Sequence, residues 1–440
     1  MEDRRKEVFF TNTNTPAAIQ KRSRTAHIAV SAVEALIRAT MSGVFFTLLV
    51  KQMGVSDALT GILSNVIFLG CSMQVFSAAF VRRLPSLRIG TLVLHSVQHL
   101  LYSFLFLLPF LPMADGLRVA LFAGVYAVAA LSANLVSPAR FHWMMSMVEP
   151  EHRGIFTAHK EMIALLLTIV YNLGMGRVVD HFSAAGRPDI GLKLCAATIL
   201  VLMAVDIVSL LRSADAPAVL NSSESSVSLG AALRTNLRNP GFVKVAVMGF
   251  GWNVLCFFCN SYHNVFLLQE LQCSTTFIVA AGMGANLIRL AMSVPMGRYA
   301  DRNGFARLAA LGFGLAAFAT GILAFWRPAG GAVLYLIYQI PFSFSMAALT
   351  GTTMNILLPY VPPKDRVSAQ GIYGAITGVS GFLGSVLGGA LLAVIQTKGL
   401  TVFGVSVYAQ QVLNLISALG MAALAVYVRT VLCRMPQVEE

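Results

Sequence analysis

Long, almost uncharged apolar runs recur along this chain and constrain its fold more than any other feature. One spans His27 to Val50, another Thr91 to Met113, and a third Val402 to Val428. Each exceeds the roughly 18–20 residues that a helix needs to cross a hydrocarbon core. Inside a bilayer every backbone N–H and C=O must find its partner within the protein, so such segments fold as helices. Charged residues make up only 12% of the 440 residues, about half the roughly 25% typical of a soluble domain. The pattern excludes a water-soluble fold. It predicts an all-α membrane protein with about twelve transmembrane helices and the lipid bilayer as its surroundings.

The formal net charge of +13 does not point to nucleic acid as a partner, because the cations punctuate the apolar runs instead of forming one basic face. Juxtamembrane Lys and Arg account for the excess, since cytoplasmic loops retain positive charge during insertion. Spans are predicted at roughly 26–50, 57–80, 88–112, 115–143, 154–181 and 188–212, then at roughly 241–269, 275–299, 305–326, 329–358, 366–396 and 402–430. Arg82, Arg83 and Arg88 follow the second span, Arg153 and Lys160 the fourth, Arg298, Arg302 and Arg307 the eighth, and Lys364 and Arg366 the tenth. Alternate loops are poorer in cations, with Lys51 after the first span and Arg327 after the ninth; Arg177 and Arg187 make the loop after the fifth an exception. This asymmetry predicts both termini in the cytoplasm, most simply of a cell with the protein in its plasma membrane.

The domain layout follows. Residues 1–25 form a cytoplasmic tail without a signal-peptide pattern. Residues 26–212 form one six-helix bundle, 213–240 a cytoplasmic linker, 241–430 a second bundle, and 431–440 a short tail. In the linker, Asn221-Ser-Ser-Glu-Ser-Ser is a flexible segment by composition, and its glycosylation-like triplet faces the cytoplasm. Leu229, Leu233 and Leu237 recur at i, i+4, i+8, the spacing of a short interfacial helix. The six cysteines show no framework spacing, and Cys256-x-x-Cys259 lies inside an apolar run, where packing explains it better than metal or redox chemistry.

The two halves carry matching loops. Val148-Glu-Pro-Glu-His-Arg153 corresponds to Val361-Pro-Pro-Lys-Asp-Arg366 at an offset of 366 − 153 = 213. The segment Met73 to Arg83, with Arg88 five residues on, corresponds to Met292 to Arg302, with Arg307 five on, at 302 − 83 = 219. A duplicated six-helix unit is the economical explanation. Here the residues resemble the major facilitator superfamily. Gly297-Arg-Tyr-Ala-Asp301-Arg302-Asn-Gly304-Phe-Ala-Arg307 is similar to its loop signature Gly-x-x-x-Asp-Arg-x-Gly-x-x-Arg/Lys. The resemblance implies two pseudo-symmetric bundles, alternating access, and a cytoplasmic gate to which Gly297, Asp301, Arg302, Gly304, Arg307, Arg83, Arg153 and Arg366 contribute. The first-half copy departs from the signature, with Arg82 in place of Asp and Ala78 and Pro85 in place of the glycines. The fifth-helix proton-antiporter pattern Gly-Pro-x-x-Gly-Gly is missing too; the chain reads Asn172-Leu-Gly-Met-Gly-Arg177.

By the same resemblance, spans one, four, seven and ten line a central cavity. Polar residues within them are therefore candidates for solute binding. An ionised group at mid-helix costs roughly 2.5–3.5 kcal/mol on insertion scales, so it must face protein or water. Ser31, Glu34, Arg38 and Ser42 share one face of span one. Glu34 and Arg38, at i, i+4, either neutralise each other as a structural pair or handle substrate, with Glu34 the candidate for proton coupling. Arg140 ends span four, where it binds solute, gates, or reaches the headgroups. Asn253, Asn260 and His263 in span seven and Gln339 in span ten complete the candidate binding set; each could equally serve helix–helix hydrogen bonding. His95 and His99 in span three read as packing, Asp206 as an interfacial contact near Arg212, and Arg289 as an intramembrane charge. Gly374, Gly378, Gly381, Gly384 and Gly388 give span eleven a small-residue stripe for close helix approach.

No phosphate-binding Gly-x-x-x-x-Gly-Lys-Ser/Thr occurs, so transport would draw on a gradient or be passive. The sequence therefore predicts a monomeric secondary transporter of a small-molecule solute, not an enzyme, with no cofactor, metal ion or nucleic acid. The alternatives are a transporter-like receptor without net flux and, more remotely, an intramembrane enzyme.

Overall fold

A computed structural model describes residues 16–81, 83–148, 153–215, 229–357, 360–361, 366–402 and 405–435. Among the described residues, ten helices are long and apolar enough to cross a membrane singly; an eleventh span is a bent pair and a twelfth is built of shorter apolar pieces. Span 1 comprises Pro16–Thr40 and Gly43–Lys51. Span 2 runs through Asp57–Ser64, Ile67–Ser72 and Ser77–Val81, span 3 is Leu87–Leu107, and span 4 is Asp115–Asn134 with Ser137–Ser146. Spans 5 and 6 are Arg153–Ala184 and Pro188–Arg212. After a helix at Leu229–Arg238 come span 7 (Pro240–Asn260 and His263–Gln269), span 8 (Thr275–Asn303), span 9 (Phe305–Leu323), span 10 (Gly331–Asn355), span 11 (Arg366–Lys398) and span 12 (Ala409–Thr430). A ribbon of two residues per strand, Thr401–Val402 with Val405–Ser406, joins spans 11 and 12.

The two halves repeat each other in how their helices pack. Span 1 packs on spans 5 and 6, as span 7 packs on spans 11 and 12. Spans 3–6, 3–4 and 2–4 have their counterparts in 9–12, 9–10 and 8–10. Across the halves, span 2 meets span 11 and span 5 meets span 8, each pair being the image of the other. The repeat extends to irregularities. Span 1 bends by 44° after Thr40, and span 7 breaks after Asn260, an offset of 260 − 40 = 220. Gly43 adopts φ +60° at the bend, a conformation that costs glycine little and other residues more. The continuous helices expected for spans 1, 2, 4 and 7 are thus broken in the structure, because charge and hydropathy mark where a span lies but not where its hydrogen-bond ladder is interrupted.

Two large apolar clusters form the core. One joins Phe45, Phe46, Phe106, Phe122 and Tyr126 of the first half to Phe266 and Trp326 of the second; the other, built around Phe242, Phe313, Tyr360 and Tyr373, lies within the second half. Small residues bring helices close. A Cβ on Gly384 would lie 2.3 Å from the Val254 carbonyl oxygen, one on Gly388 2.3 Å from that of Phe258, and one on Gly378 2.8 Å from that of Phe68. Gly374 faces open space, so the stripe's work is done by its distal members.

The start of span 1, the end of span 6 and the start of span 7 mark one face of the bundle, here the tail face. Arg22 Nε donates to the Arg212 carbonyl at 3.0 Å, Ser23 Oγ accepts from Ala214 N–H at 2.9 Å, and Asn239 Nδ2 donates to the Tyr360 carbonyl at 2.8 Å. Loops 52–56 and 270–274 lie on the opposite, distal face.

Candidate functional site

A polar hollow lies between the halves in two adjoining parts. The part nearer the tail face has a volume of 260 Å³ and is walled by His27, Ser31, Glu34, Arg38, Ser137, Arg140, Met144, Lys160 and Glu161. The part nearer the membrane middle, 430 Å³, is walled by Arg38, Ser42, Gly43, Phe45, Glu161, Thr168, Asn172, Asn264, Ile278, Asn286 and Tyr335. Arg38, Glu161, Ala35 and Ala164 belong to both. Spans 1, 4 and 5 supply the first part, and spans 5, 7, 8 and 10 close the second across the interface.

The charges in this hollow are organised by partners from several helices. Arg140 Nη2 lies 2.6 Å from Glu34 Oε2, so Glu34 pairs across spans 1 and 4 and not with Arg38 one turn along its own helix. His95 Nε2 stands 3.3 Å from Glu34 Oε1, and His95 Nδ1 stands 3.1 Å from Asp206 Oδ2. Both His95 and Asp206 are 1% exposed, which places them behind the wall. Span 3 and span 6 thereby supply a second layer to Glu34. The packing role expected for His95 and the interfacial role expected for Asp206 give way to this network, which joins residues far apart in sequence. His99 Nδ1 lies 4.0 Å from the same Asp206 oxygen. Ligand atoms of His95, His99 and Asp206 fall within 4.8 Å of one another. Both His95 nitrogens already face carboxylate oxygens, however, and Zn–N bonds of roughly 2.0–2.1 Å would require these groups to regroup.

The remaining candidates fall in different places. Asn253 Nδ2 donates to Gly249 O at 2.8 Å in its own helix. Asn260 accepts from Tyr338 Oη at 3.1 Å. His263 Nε2 lies 3.0 Å from Asn414 Oδ1 and is ringed edge-on by Trp326, Tyr335 and Tyr338. Gln339 Nε2 donates to Tyr335 Oη at 2.9 Å. Asn260, His263 and Gln339 thus gather around Tyr335 and Tyr338, apart from Asn253, and of this neighbourhood Asn264 and Tyr335 line the hollow. Sequence reasoning did not single out Lys160, Glu161 or Asn172 as binding residues. Lys160 and Glu161 sit in the first turns of span 5, where a charge reads as a loop residue.

The distal face is stitched across the halves. The Asp180 carboxylate, from span 5, accepts from Thr275 N–H at 2.9 Å, Thr276 N–H at 2.8 Å and Thr276 Oγ1 at 2.6 Å, capping the N-terminus of span 8. Asp57 accepts from Lys51 Nζ at 2.6 Å and from Gln396 Nε2 at 2.8 Å, and Asn65 Nδ2 donates to Ser261 Oγ at 2.8 Å. Toward the tail face, Leu287, Leu290, Val294, Gly297 and Arg298 in span 8 and Met162, Leu166 and Leu167 in span 5 are exposed.

The gate loops lie on that tail face. Gly304 takes φ +85° between spans 8 and 9 and donates its N–H to Ala300 O at 2.7 Å, which accounts for the second glycine of the signature. Arg83, Gly297, Arg302 and Arg307 are exposed, and among the described residues none of the three arginines forms an ion pair. The side chains of Asp301, Arg153 and Arg366 lie outside the described residues. In the first half, where the loop has Arg82 instead of Asp, a carboxylate from the linker takes up the neighbouring helix start: Asp215 accepts from Arg88 N–H at 3.2 Å and bonds Ser86 Oγ.

Two six-helix halves related by their packing, a hollow between them, and a seal across the distal face describe a known architecture. The chain has the major facilitator superfamily fold. The family's sequence model, Major Facilitator Superfamily, matches residues 264–432. A point mutant of the nucleoside transporter NupG is 13% identical, with a TM-score of 0.72 over 92% of this chain and 99% of that one. An auto-inhibited POT family peptide transporter is 12% identical, with a TM-score of 0.68 over 95% and 98%. A D-xylose–proton symporter is 14% identical, with a TM-score of 0.64 over 91% and 96%. No curated protein sequence matches the chain. Its long apolar helices are those of an integral, multi-pass membrane protein.

Proposed function

We propose that this protein is a major facilitator superfamily secondary transporter that moves a small solute by alternating access, with proton movement coupled at Glu34. The observation that carries the proposal is the asymmetry of the half–half interface. It is sealed by Asp180, Asp57 and Asn65 on the distal face, and it is hollow and charged from mid-membrane toward the tail face. With the cation-rich tail face in the cytoplasm, this is an inward-facing state. Solute binding in the hollow would draw spans 5 and 8 together at their tail ends while the distal bonds give way.

Coupling at Glu34 is supported by its position. It is a carboxylate of the hollow wall, and it holds Arg140 on one oxygen and His95 on the other. A proton taken up by Glu34 would weaken both contacts and free the Arg140 guanidinium, linking the proton to the shape and charge of the hollow. The test has two stages. Thermal stabilisation of the purified protein finds a ligand, and counterflow of that ligand in proteoliposomes then separates a carrier from a receptor. Uptake with and without a pH gradient follows in wild type and Glu34→Gln. Coupling at Glu34 requires that Glu34→Gln retain counterflow and lose gradient-driven accumulation; full gradient dependence in the variant refutes it.

A further inference from the structure

The charge balance of the hollow narrows the chemistry of its solute. Among the described residues its walls carry three cations, Arg38, Arg140 and Lys160, and two carboxylates, Glu34 and Glu161. Arg140 is engaged with Glu34 at 2.6 Å, and Lys160 Nζ lies 3.0 Å from Glu161 Oε1. The surplus positive charge is Arg38. It lines both parts of the hollow, is exposed to it, and has no hydrogen bond or ion pair among the described residues.

We propose that the solute is a small organic monoanion whose carboxylate binds Arg38; this rests on the transporter reading above. A cation at membrane depth is favoured by an anionic partner, and a planar guanidinium gains most from a carboxylate that accepts two parallel N–H bonds. One negative charge neutralises the walls, whereas a cation doubles their surplus and a dianion leaves a deficit of one. The backbone adds to the same end of the hollow. The second helix of span 1 begins at Gly43, its N-cap Ser42 makes no side-chain capping bond, and both residues line the hollow beside Arg38. Unsatisfied N–H groups of a first helical turn favour an anion. Beyond the charge, Asn172, Asn264, Asn286 and Tyr335 offer amides and a hydroxyl to a polar substituent. The 430 Å³ of this part suits a metabolite-sized molecule.

The test is thermal unfolding and equilibrium binding on the purified full chain. The probes are acetate, lactate, benzoate and 3-phenylpropionate, with their matched primary amides and amines, and phenyl phosphate. A carboxylate is expected to stabilise the wild type dose-dependently while its amide and amine do not. In R38Q its Kd rises about 30-fold, and in R38K, which keeps the charge and loses the fork, about 10-fold. R38Q unfolding at the wild-type temperature without ligand shows that the fold is intact. The proposal is overturned if no carboxylate binds, if an amide, amine or phenyl phosphate stabilises equally well, or if R38Q binds the carboxylate as tightly as wild type. Counterflow judges transport separately. Carboxylate binding without counterflow removes the transporter reading and leaves the anion site; counterflow of a neutral or cationic solute does the reverse.

Discussion

Removing the Asp180 carboxylate should open the distal face. Three donors of span 8 converge on it at 2.6–2.9 Å, and it caps a helix start. Hydrogen bonds to a charged group contribute roughly 1.5–3 kcal/mol each. The side chain is half-buried and water replaces part of the loss once the face parts, so the three together are worth well under their sum. The dipole of span 8 adds roughly 0.3–1 kcal/mol. A net of about 2 kcal/mol in favour of the sealed state corresponds to roughly a 30-fold change in the equilibrium between closed and open distal faces. Spin labels at Arg187 and Gln272, both exposed beside the seal, would report it by double electron–electron resonance in nanodiscs. Asp180→Ala should populate a longer distance that is minor in wild type, and Asp180→Asn should fall between. An Asp180→Ala distribution superimposable on wild type would refute the idea that these bonds hold the face closed.

Two further predictions concern packing. Gly384→Ala forces a methyl against the Val254 backbone and should cost about 1–3 kcal/mol, seen as a lower unfolding temperature, whereas Gly374→Ala meets open space and should leave it unchanged or raised. Asn414→Leu removes the partner of buried His263 and should cost about 1–3 kcal/mol; an unchanged melting temperature would mean that His263 finds another partner.

Much of the architecture was legible because bilayer chemistry writes it plainly. Apolar length sets the spans, loop cations mark one face, and the offset loops reveal the duplication. Glu34, Arg38 and Arg140 stood out because charge in an apolar run is costly, and all three line the hollow. The partners of Glu34 were not legible. A helical wheel places Arg38 one turn away, but the bonds go to Arg140 and His95, and only the packing of spans 1, 3 and 4 decides that. Asp180 was invisible for a similar reason: a carboxylate near a span's end looks interfacial until the N-terminus of span 8 is found beside it. Asn253, Asn260 and Gln339 share the composition of binding residues yet spend their amides inside their own half, which no count of polar residues could tell.

Reciprocal motion of the two faces is the most direct test of alternating access. Two label pairs in otherwise identical protein suffice, Arg187 with Gln272 across the distal face and His159 with Arg298 across the tail face, measured in wild type and Asp180→Ala. Alternating access predicts that the population with a long distal distance has a short tail distance, so the two distributions shift in opposite directions. Distal opening with the tail face still apart, or no change in either pair, would contradict it.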